Sequence, residues 1–341
     1  MNEALVGTVQ TLFDAVPEVT SPVITPGAAA GADGRPNEAK RSISYMVDAA
    51  LKFGKVRGLD DLLDAVAGFR QYKPYNALLV LLQVPGATFV LPAHVWGEKY
   101  GRVILPGEQP LVMLQPGGPV MFLFDVSQTE EGPGATPLPI DLQNPFGMLD
   151  IPDSSGALAW VIQNAKADGV RVSDGALGLR FAGCIQRSES GLGQRVEVSR
   201  RPPVEAMVKV QYDVLLNKAY SPTEQLETLA HELGHLYCGH LGAHVSQLMP
   251  DEELWADRSQ LPTETDELEA QSVARIVVRS LAPQEPLPTQ LAEFFASGPE
   301  LLGMDLDRVL TAAGRVLAMA DGFAPRRPRQ KHRQPVQAEG V

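Results

Sequence analysis

The segment between Ser221 and Gly239 predicts one well-defined helix and constrains what must surround it. Ser221 can cap this helix, Pro222 suits its first position, and Glu224 can reach back to the unpaired backbone N–H groups. Gly239 stands where a helix commonly ends. Apolar residues recur at helical spacing in between, namely Leu226, Leu229, Ala230, Leu233, Leu236 and Tyr237. One flank of the helix must therefore be buried against apolar partners.

The same helix carries the pentapeptide from His231 to His235, which has the form HExxH. Side chains four residues apart share a helical face, so both imidazoles can bind one metal ion, with the carboxylate of Glu232 beside them. Such a site suits zinc-dependent hydrolysis, in which Glu232 would act as the general base and the ion would activate a water molecule. The imidazole pair favours Zn²⁺, and Mn²⁺ remains an alternative.

A catalytic zinc site needs a third protein ligand and leaves a fourth position for water. The extended metzincin form of the motif requires histidine at position 241, where this sequence has Leu241, so that route fails. His240 is interpreted as a residue of the helix end, where a basic side chain is favourable. Cys238 lies a further turn along the helix and would have to bend back, so it is the weaker of these alternatives.

A second helix, predicted to begin near Thr265, offers carboxylates instead. Its first turn is acidic, as helix starts prefer, and an apolar pattern continues to Leu281. Glu267 shares a face with small residues that would allow close approach to the HExxH helix. Glu269 lies about 200° further round, so both are not expected to bind one ion. We predict Glu267 as the third ligand with Glu269 as its alternative; the other interpretation is that both are solvated acids.

The run from Thr228 to His240, together with residues 267–270, resembles the ImmA/IrrE family of metallopeptidases over about residues 150–320. The resemblance implies a zincin-like fold and a zinc site completed by a glutamate that maps onto Glu267. It also implies an endopeptidase with a narrow protein target, such as a transcriptional repressor. Gln271 stands where the family usually has an acid or another amide, and it is expected to support a ligand by hydrogen bonding.

A weaker resemblance lies upstream. The stretches that begin at Lys73, Ala87, Pro106 and Val120 look like the N-terminal domain of ArdC-type antirestriction proteins, which binds single-stranded DNA. Such binding needs a basic groove and stacking aromatic rings. Residues 40–130 show no evident basic patch, so the aromatic residues have a second interpretation as the core of a small domain. The rings concerned are those of Tyr75, Phe89, Trp96 and Tyr100.

Composition narrows the class of protein. A net charge of −12 argues against general affinity for nucleic acid or membrane surfaces, and two cysteines make a disulfide framework improbable. The sequence opens without a basic signal region, and no apolar run approaches the roughly 18 residues that span a bilayer. These features predict a cytoplasmic protein without membrane contact.

The predicted fold class is α+β, divided by clusters of proline and glycine. We predict an N-terminal segment with a flexible linker over residues 1–37, a small α+β domain over 38–130 and a Pro/Gly-rich linker over 131–152. A zincin-like metallopeptidase domain with a short sheet and a mainly helical C-terminal part follows over 153–322. Residues 323–341 are predicted to be a disordered basic tail.

Hydrophobic patterns predict the elements within these regions. Residues 208–216 alternate and are predicted to form a single strand leading into the HExxH helix. The other predicted strands lie near 87–91, 110–115, 119–126, 177–186 and 195–199, and the other predicted helices near 39–54, 59–71 and 158–167.

Two functions follow as hypotheses. The first is a zinc endopeptidase acting on a regulatory protein; the second is a DNA-associated antirestriction or accessory protein whose metal site is structural or vestigial. An intact Glu232 favours the enzyme, because a structural site has no use for a base beside its ligands. Tyr220 and Tyr237 are candidates for stabilising an oxyanion, and their spacing selects neither.

Overall fold

The structure is a computed structural model that describes ten stretches of the chain. These are residues 58–69, 72–84, 87–114, 120–138, 154–178, 181–200, 203–248, 253–283, 285–296 and 303–322. Several expectations lie outside them: the N-terminal segment, the helix near 39–54, most of the linker over 131–152, and the basic tail. No helix within the described stretches is both long and apolar enough to cross a membrane.

The fold is α+β, as predicted. The described residues form eight α-helices: α1 (Leu59–Gly68), α2 (Pro74–Gln83), α3 (Ala93–Tyr100), α4 (Ser154–Ala165), α5 (Pro222–Cys238), α6 (Thr263–Leu281), α7 (Thr289–Ala296) and α8 (Leu306–Ala320). Most of the helical residues follow position 222, in agreement with the sequence.

Twelve short strands in the described stretches make five small sheets. The strands are β1 (Val90–Leu91), β2 (Arg102–Ile104), β3 (Leu111–Leu114), β4 (Val120–Asp125), β5 (Thr129–Glu131), β6 (Val170–Gly175), β7 (Gly183–Arg187), β8 (Gly193–Arg200), β9 (Pro203–Lys209), β10 (Tyr212–Asn217), β11 (His244–Val245) and β12 (Glu253–Trp255). Their sheets are ordered β1-β4-β3, β2-β5, β6-β10-β7, β8-β9 and β11-β12.

An aromatic cluster packs beside the β1-β4-β3 sheet. Trp96 of α3 is 0% exposed, packs against Phe89 and Tyr100, and donates its indole N–H to the Phe124 carbonyl over 2.9 Å. Tyr100 is also buried, while Phe89 and Tyr75 are partly buried. The buried rings of Trp96 and Tyr100 therefore support the fold and do not offer a stacking face to a nucleobase.

The predicted strand over residues 208–216 was wrong, because the chain changes sheets inside it. Strand β9 ends at Lys209 as half of the β8–β9 hairpin, and β10 begins at Tyr212 between β6 and β7. At the junction the Val210 N–H bonds the Leu192 carbonyl and the Gln211 N–H bonds the Gly169 carbonyl. Strand β10 is parallel to β6 and antiparallel to β7, and after a short turn it leads into α5.

Helices α1 and α2 pack in the same core as the helices downstream. Leu62, Leu63 and Leu78 belong to one buried cluster with Leu233 of α5 and Val277 of α6, among others. A polar contact reinforces this packing, because the guanidinium of Arg275 on α6 donates to both carboxylate oxygens of Asp64 on α1, at 2.7 and 2.8 Å. The predicted division into two domains stays a prediction, but these two helices share their core with the downstream helices.

Replacing Asp64 with Ala is expected to destabilise the protein by up to about 3–5 kcal/mol, because the nearly buried guanidinium of Arg275 loses both hydrogen bonds to Asp64 and keeps only the 3.8 Å ion pair with Asp60. Adding Arg275→Met should recover part of that loss. Glu98→Ala, which removes an exposed carboxylate of α3, should change stability by less than about 0.5 kcal/mol. Urea unfolding of the full chain measures all three, and equal stabilities of Asp64→Ala and Glu98→Ala would contradict the docking of α1 on α6.

Candidate metal centre

Helix α5 is built as its sequence predicts. Ser221 accepts a hydrogen bond from the Glu224 N–H, and the Glu224 carboxylate accepts one from the Ser221 N–H over 2.8 Å, so the capping box is complete. The helix stops at Gly239, whose φ of 87° is favourable only for glycine. The first residue after it, His240, donates its backbone N–H to the His235 carbonyl. These local signals place the HExxH residues in the middle of a buried helix.

Helix α6 crosses α5 at Gly234, the fourth residue of the pentapeptide. A Cβ at position 234 would lie 3.1 Å from the Ala270 Cα, 3.3 Å from the Ala270 carbonyl oxygen and 3.3 Å from the Val273 Cβ. The missing side chain therefore lets the two backbones approach closely. This approach brings the N-terminal part of α6, with Glu267, over the histidine face of α5.

Three predicted ligands meet at this crossing. The Nε2 atoms of His231 and His235 lie 3.1 Å apart. The Oε2 atom of Glu267 lies 3.6 Å from the Nε2 atom of His231, and its Oε1 atom lies 3.4 Å from the Nε2 atom of His235. Two ligand atoms held about 2.0–2.1 Å from one tetrahedral zinc ion are separated by about 3.3–3.4 Å. The donor set and its spacing therefore fit a divalent ion of this kind. The Glu267 side chain is 42% exposed, so the group opens to solvent on that side.

Electrostatics distinguish the two imidazoles. Burial, together with the neighbouring His235, lowers the pKa of His231 to about 4. Burial also lowers the pKa of His235, but the Glu267 carboxylate outweighs it and the net pKa is raised. Hydrogen bonding to His235 holds the pKa of Glu267 below its usual value despite partial burial. His231 is thus a neutral donor and Glu267 an anionic one, as a metal ion requires.

Glu232 lies beside the ligands and inside the protein. Its side chain is buried, and burial raises the pKa of its carboxyl group to about 7 although His235 and the backbone N–H of Ile185 act in the opposite direction. Ile185 belongs to β7, the strand that lies against α5. The Glu232 carboxylate therefore lies between the group of His231, His235 and Glu267 and strand β7 of the β6-β10-β7 sheet.

Glu269, the alternative third ligand, is placed elsewhere. Its carboxylate is 0% exposed and accepts hydrogen bonds from His240 over 3.0 Å, from both terminal nitrogens of Arg258, and from the Asp305 N–H over 2.8 Å. Hydrogen bonds from His240 and Arg258 outweigh burial and hold the pKa of Glu269 below its usual value. The geometry therefore favours Glu267 over Glu269 as a ligand of the HExxH pair.

Cys238 and His240 also lie away from the three ligands. Together with Glu269 they form a second, fully buried group whose donor atoms are within 4.8 Å of one another. Arg258, however, already occupies this group by donating to Glu269 and to the Cys238 carbonyl. A guanidinium cation there opposes a metal ion, so this group does not provide a third ligand for the HExxH pair.

Tyr237, Tyr220 and Gln271 are the remaining candidates for supporting roles, and the role of Tyr220 stays a prediction. Tyr237 is buried, and its hydroxyl donates to the Asp168 carboxylate over 2.9 Å, so it belongs to the core and not to the reaction site. The Tyr220 hydroxyl receives a 3.5 Å contact from the Gln290 side chain. The Oε1 atom of Gln271 has no hydrogen-bond partner in the described stretches, and thus its expected support of a ligand is not observed there.

One protein-family model matches the part of the chain that contains the candidate metal centre. Residues 189–301 match the family model described as Peptidase_M78, the IrrE N-terminal-like domain. The matched range contains α5 and α6, and therefore all four residues predicted to form the site. The resemblance to the ImmA/IrrE metallopeptidases is confirmed over this range, and such a family implies a divalent metal ion.

Two solved structures are also similar to the chain, and both are of the antirestriction protein ArdC from the R388 plasmid, to which the upstream sequence bears a resemblance. The metal-free structure is 13% identical, covers 84% of this chain and 100% of that chain, and has a TM-score of 0.37. The Mn(II)-bound structure is 14% identical, covers 83% of this chain and 96% of that chain, and has a TM-score of 0.38. No curated protein matches the chain.

Replacing Gly234 with Ala should separate α5 from α6, because the new methyl group meets the backbone of Ala270. We expect a loss of about 1–3 kcal/mol in stability and weaker zinc binding. Gly314→Ala in α8 is the matched control, since its Cβ would lie at ordinary contact distances, 3.4 Å from the Pro74 Cδ and 4.0 Å from the Lys73 Cβ. That control should be neutral or stabilising by up to about 1 kcal/mol. Thermal unfolding and zinc titration distinguish the two variants. Equal stability and equal zinc affinity of Gly234→Ala and Gly314→Ala would contradict the tight crossing of α5 and α6.

Proposed function

We propose, from the match of residues 189–301 to an IrrE-type peptidase family and from the converging ligands, that this protein is a zinc-dependent endopeptidase. In this proposal His231, His235 and Glu267 bind the metal ion and Glu232 is the general base. The observation that carries it is the convergence of two imidazole Nε2 atoms, 3.1 Å apart, with the Glu267 carboxylate, whose two oxygens lie 3.6 and 3.4 Å from them. A narrow protein target such as a transcriptional repressor is the substrate that the family resemblance favours.

His231, His235 and Glu267 would hold a zinc ion that acts as a Lewis acid, which would lower the pKa of water towards 7 and polarise the scissile carbonyl group. The side chains of α5 and α6 supply the rest of the reaction. Glu232 accepts the proton of the attacking water and returns it to the leaving amine, so that one carboxylate serves both steps. Burial of this carboxylate keeps it close to the reacting atoms and away from bulk water.

Strand β7 supports a peptide as the substrate. It is the edge strand of the β6-β10-β7 sheet in the described stretches, and it pairs with β10 through Cys184 and its alternate neighbours. The backbone groups of Ile185 therefore point to the other side, where the N–H of Ile185 meets Glu232. An extended peptide laid along this edge would place its backbone beside the general base and the metal ligands.

Binding of single-stranded DNA is not part of this proposal. Two of the four aromatic rings that could have stacked on bases, those of Trp96 and Tyr100, are core residues. An intact Glu232 beside three metal ligands is explained by hydrolysis and not by a structural ion.

The metal ligands can be tested by zinc content. Wild-type protein is expected to bind one zinc ion per chain, and Glu267→Ala should weaken this binding by an order of magnitude or more because one of three donors is lost. Glu264→Ala, in the exposed first turn of the same helix, removes a carboxylate without touching the group and should bind zinc normally. Equal zinc affinity in Glu267→Ala and wild type would disprove the assignment of the third ligand.

The general base can be tested with a peptide library. Zinc-loaded wild type is incubated with a proteome-derived peptide mixture, and new termini are identified by mass spectrometry. Glu232→Gln should keep the metal and lose about 10²–10⁴ in cleavage rate. Glu227→Gln is the matched control, because Glu227 is equally buried on α5 and burial also raises its carboxyl pKa to about 7. Cleavage that survives in Glu232→Gln would refute the proposed mechanism.

A further inference from the structure

A buried chain of hydrogen bonds begins at the far side of the ligand His235. The Nε2 atom of His235 faces His231 and Glu267, while its Nδ1 atom lies 3.0 Å from the Nδ1 atom of His240. The Nε2 atom of His240 in turn lies 3.0 Å from an oxygen of Glu269. His240 therefore connects a metal ligand on α5 to a carboxylate on α6.

The Glu269 end of this chain is held by several hydrogen bonds. Glu269 accepts two hydrogen bonds from the guanidinium of Arg258 and one from the backbone N–H of Asp305, which precedes α8. The side chains of His240 and Glu269 are 2% and 0% exposed. Charge-assisted bonds among buried groups hold their geometry strongly, so the His240 ring has one defined orientation.

The positions of the protons follow from the geometry. To bind a metal ion, the Nε2 atom of His235 must carry a lone pair, so its proton must be on Nδ1. This Nδ1–H can donate only if the Nδ1 atom of His240 accepts, which places the His240 proton on Nε2. That Nε2–H donates to Glu269, which is an anion beside Arg258. Each donor thus meets an acceptor, with both rings neutral.

His231 and His235 differ in whether their Nδ1 atoms have a hydrogen-bond partner. The Nδ1 atom of His231 is buried and has no hydrogen-bond partner in the stretches of chain that the structure describes. His235 alone receives support from a second ring and a carboxylate. The second ring is that of His240, the first residue after the helix stop at Gly239, and the carboxylate is that of Glu269 on α6.

We propose that His240, anchored by Glu269 and Arg258, is a positioning residue that fixes the tautomer and the ring orientation of the metal ligand His235. The inference rests on the proposed metal site and adds three residues to it that do not contact the ion. Partners of this kind commonly change metal affinity by about 10–100-fold when they are removed.

The test is zinc affinity, measured on the full chain by competition with a chromophoric chelator. His240→Ala removes the acceptor of the His235 proton and should weaken zinc binding about 10–100-fold. His240→Asn, whose Oδ1 atom can accept the same proton, should recover part of this loss. Tyr237→Phe is the control, because it removes a different buried hydrogen bond of α5, to Asp168, and should bind zinc as wild type does.

A spectroscopic measurement needs no variant. In zinc-loaded wild type, two-bond ¹H–¹⁵N spectra should show His235 protonated on Nδ1 and His240 protonated on Nε2. A proton on Nδ1 of His240 would overturn the proposal even if His240→Ala failed to fold. Wild-type affinity in folded His240→Ala would overturn it as well.

Failure of the positioning role can be distinguished from failure of the metal site. If Glu267→Ala weakens zinc binding while His240→Ala does not, only the positioning role is refuted. If neither wild type nor any variant binds zinc, the metal site and the positioning role are refuted together. The expected pattern is a large loss in Glu267→Ala, a smaller one in His240→Ala, and partial recovery in His240→Asn.

Discussion

The close approach of α5 and α6 at Gly234 is the contact on which the candidate metal centre depends. Two histidines on one helix can define only one side of a tetrahedral site, so the third donor must come from another element. Any side chain at position 234 would push that element outward, since the Ala270 backbone lies only 3.1–3.3 Å from the position of a Cβ. The glycine inside the HExxH pentapeptide therefore allows the close crossing that brings Glu267 to the two histidines.

Glu267 and Glu269 of α6 have different roles because their surroundings differ in charge. Glu267 faces two imidazoles and solvent, so its negative charge is available to a cation. Glu269 faces Arg258, His240 and a backbone N–H, which already neutralise it inside the protein. A buried carboxylate is tolerated when it is paired and fully hydrogen-bonded. Glu269 can thus hold a ring in place without competing with Glu267 for the metal ion.

Local signals explain how much of this could be predicted. The capping box, the proline and the stop glycine lie within α5 itself, so the helix and its histidine face follow from the sequence alone. The preference for Glu267 followed from its helical face. The contact of His240 with Glu269 could not be predicted, because it requires the left-handed turn at Gly239 and partners on separate elements. The sheet change at residues 210–211 was missed because both strands continue the same apolar alternation.

Helix α6 connects the candidate metal centre to α1, the first helix of the described chain. One part of α6 meets α5 through Ala270 and carries Glu267, while Arg275, further along, is bound to Asp64 of α1. The hydroxyl of Ser280 also donates to the carbonyl of Ala67, so α1 holds α6 at two points. A rigid helix transmits a shift at one end to the other. Helix α1 is therefore joined, through the later turns of α6, to the same helix that carries Glu267.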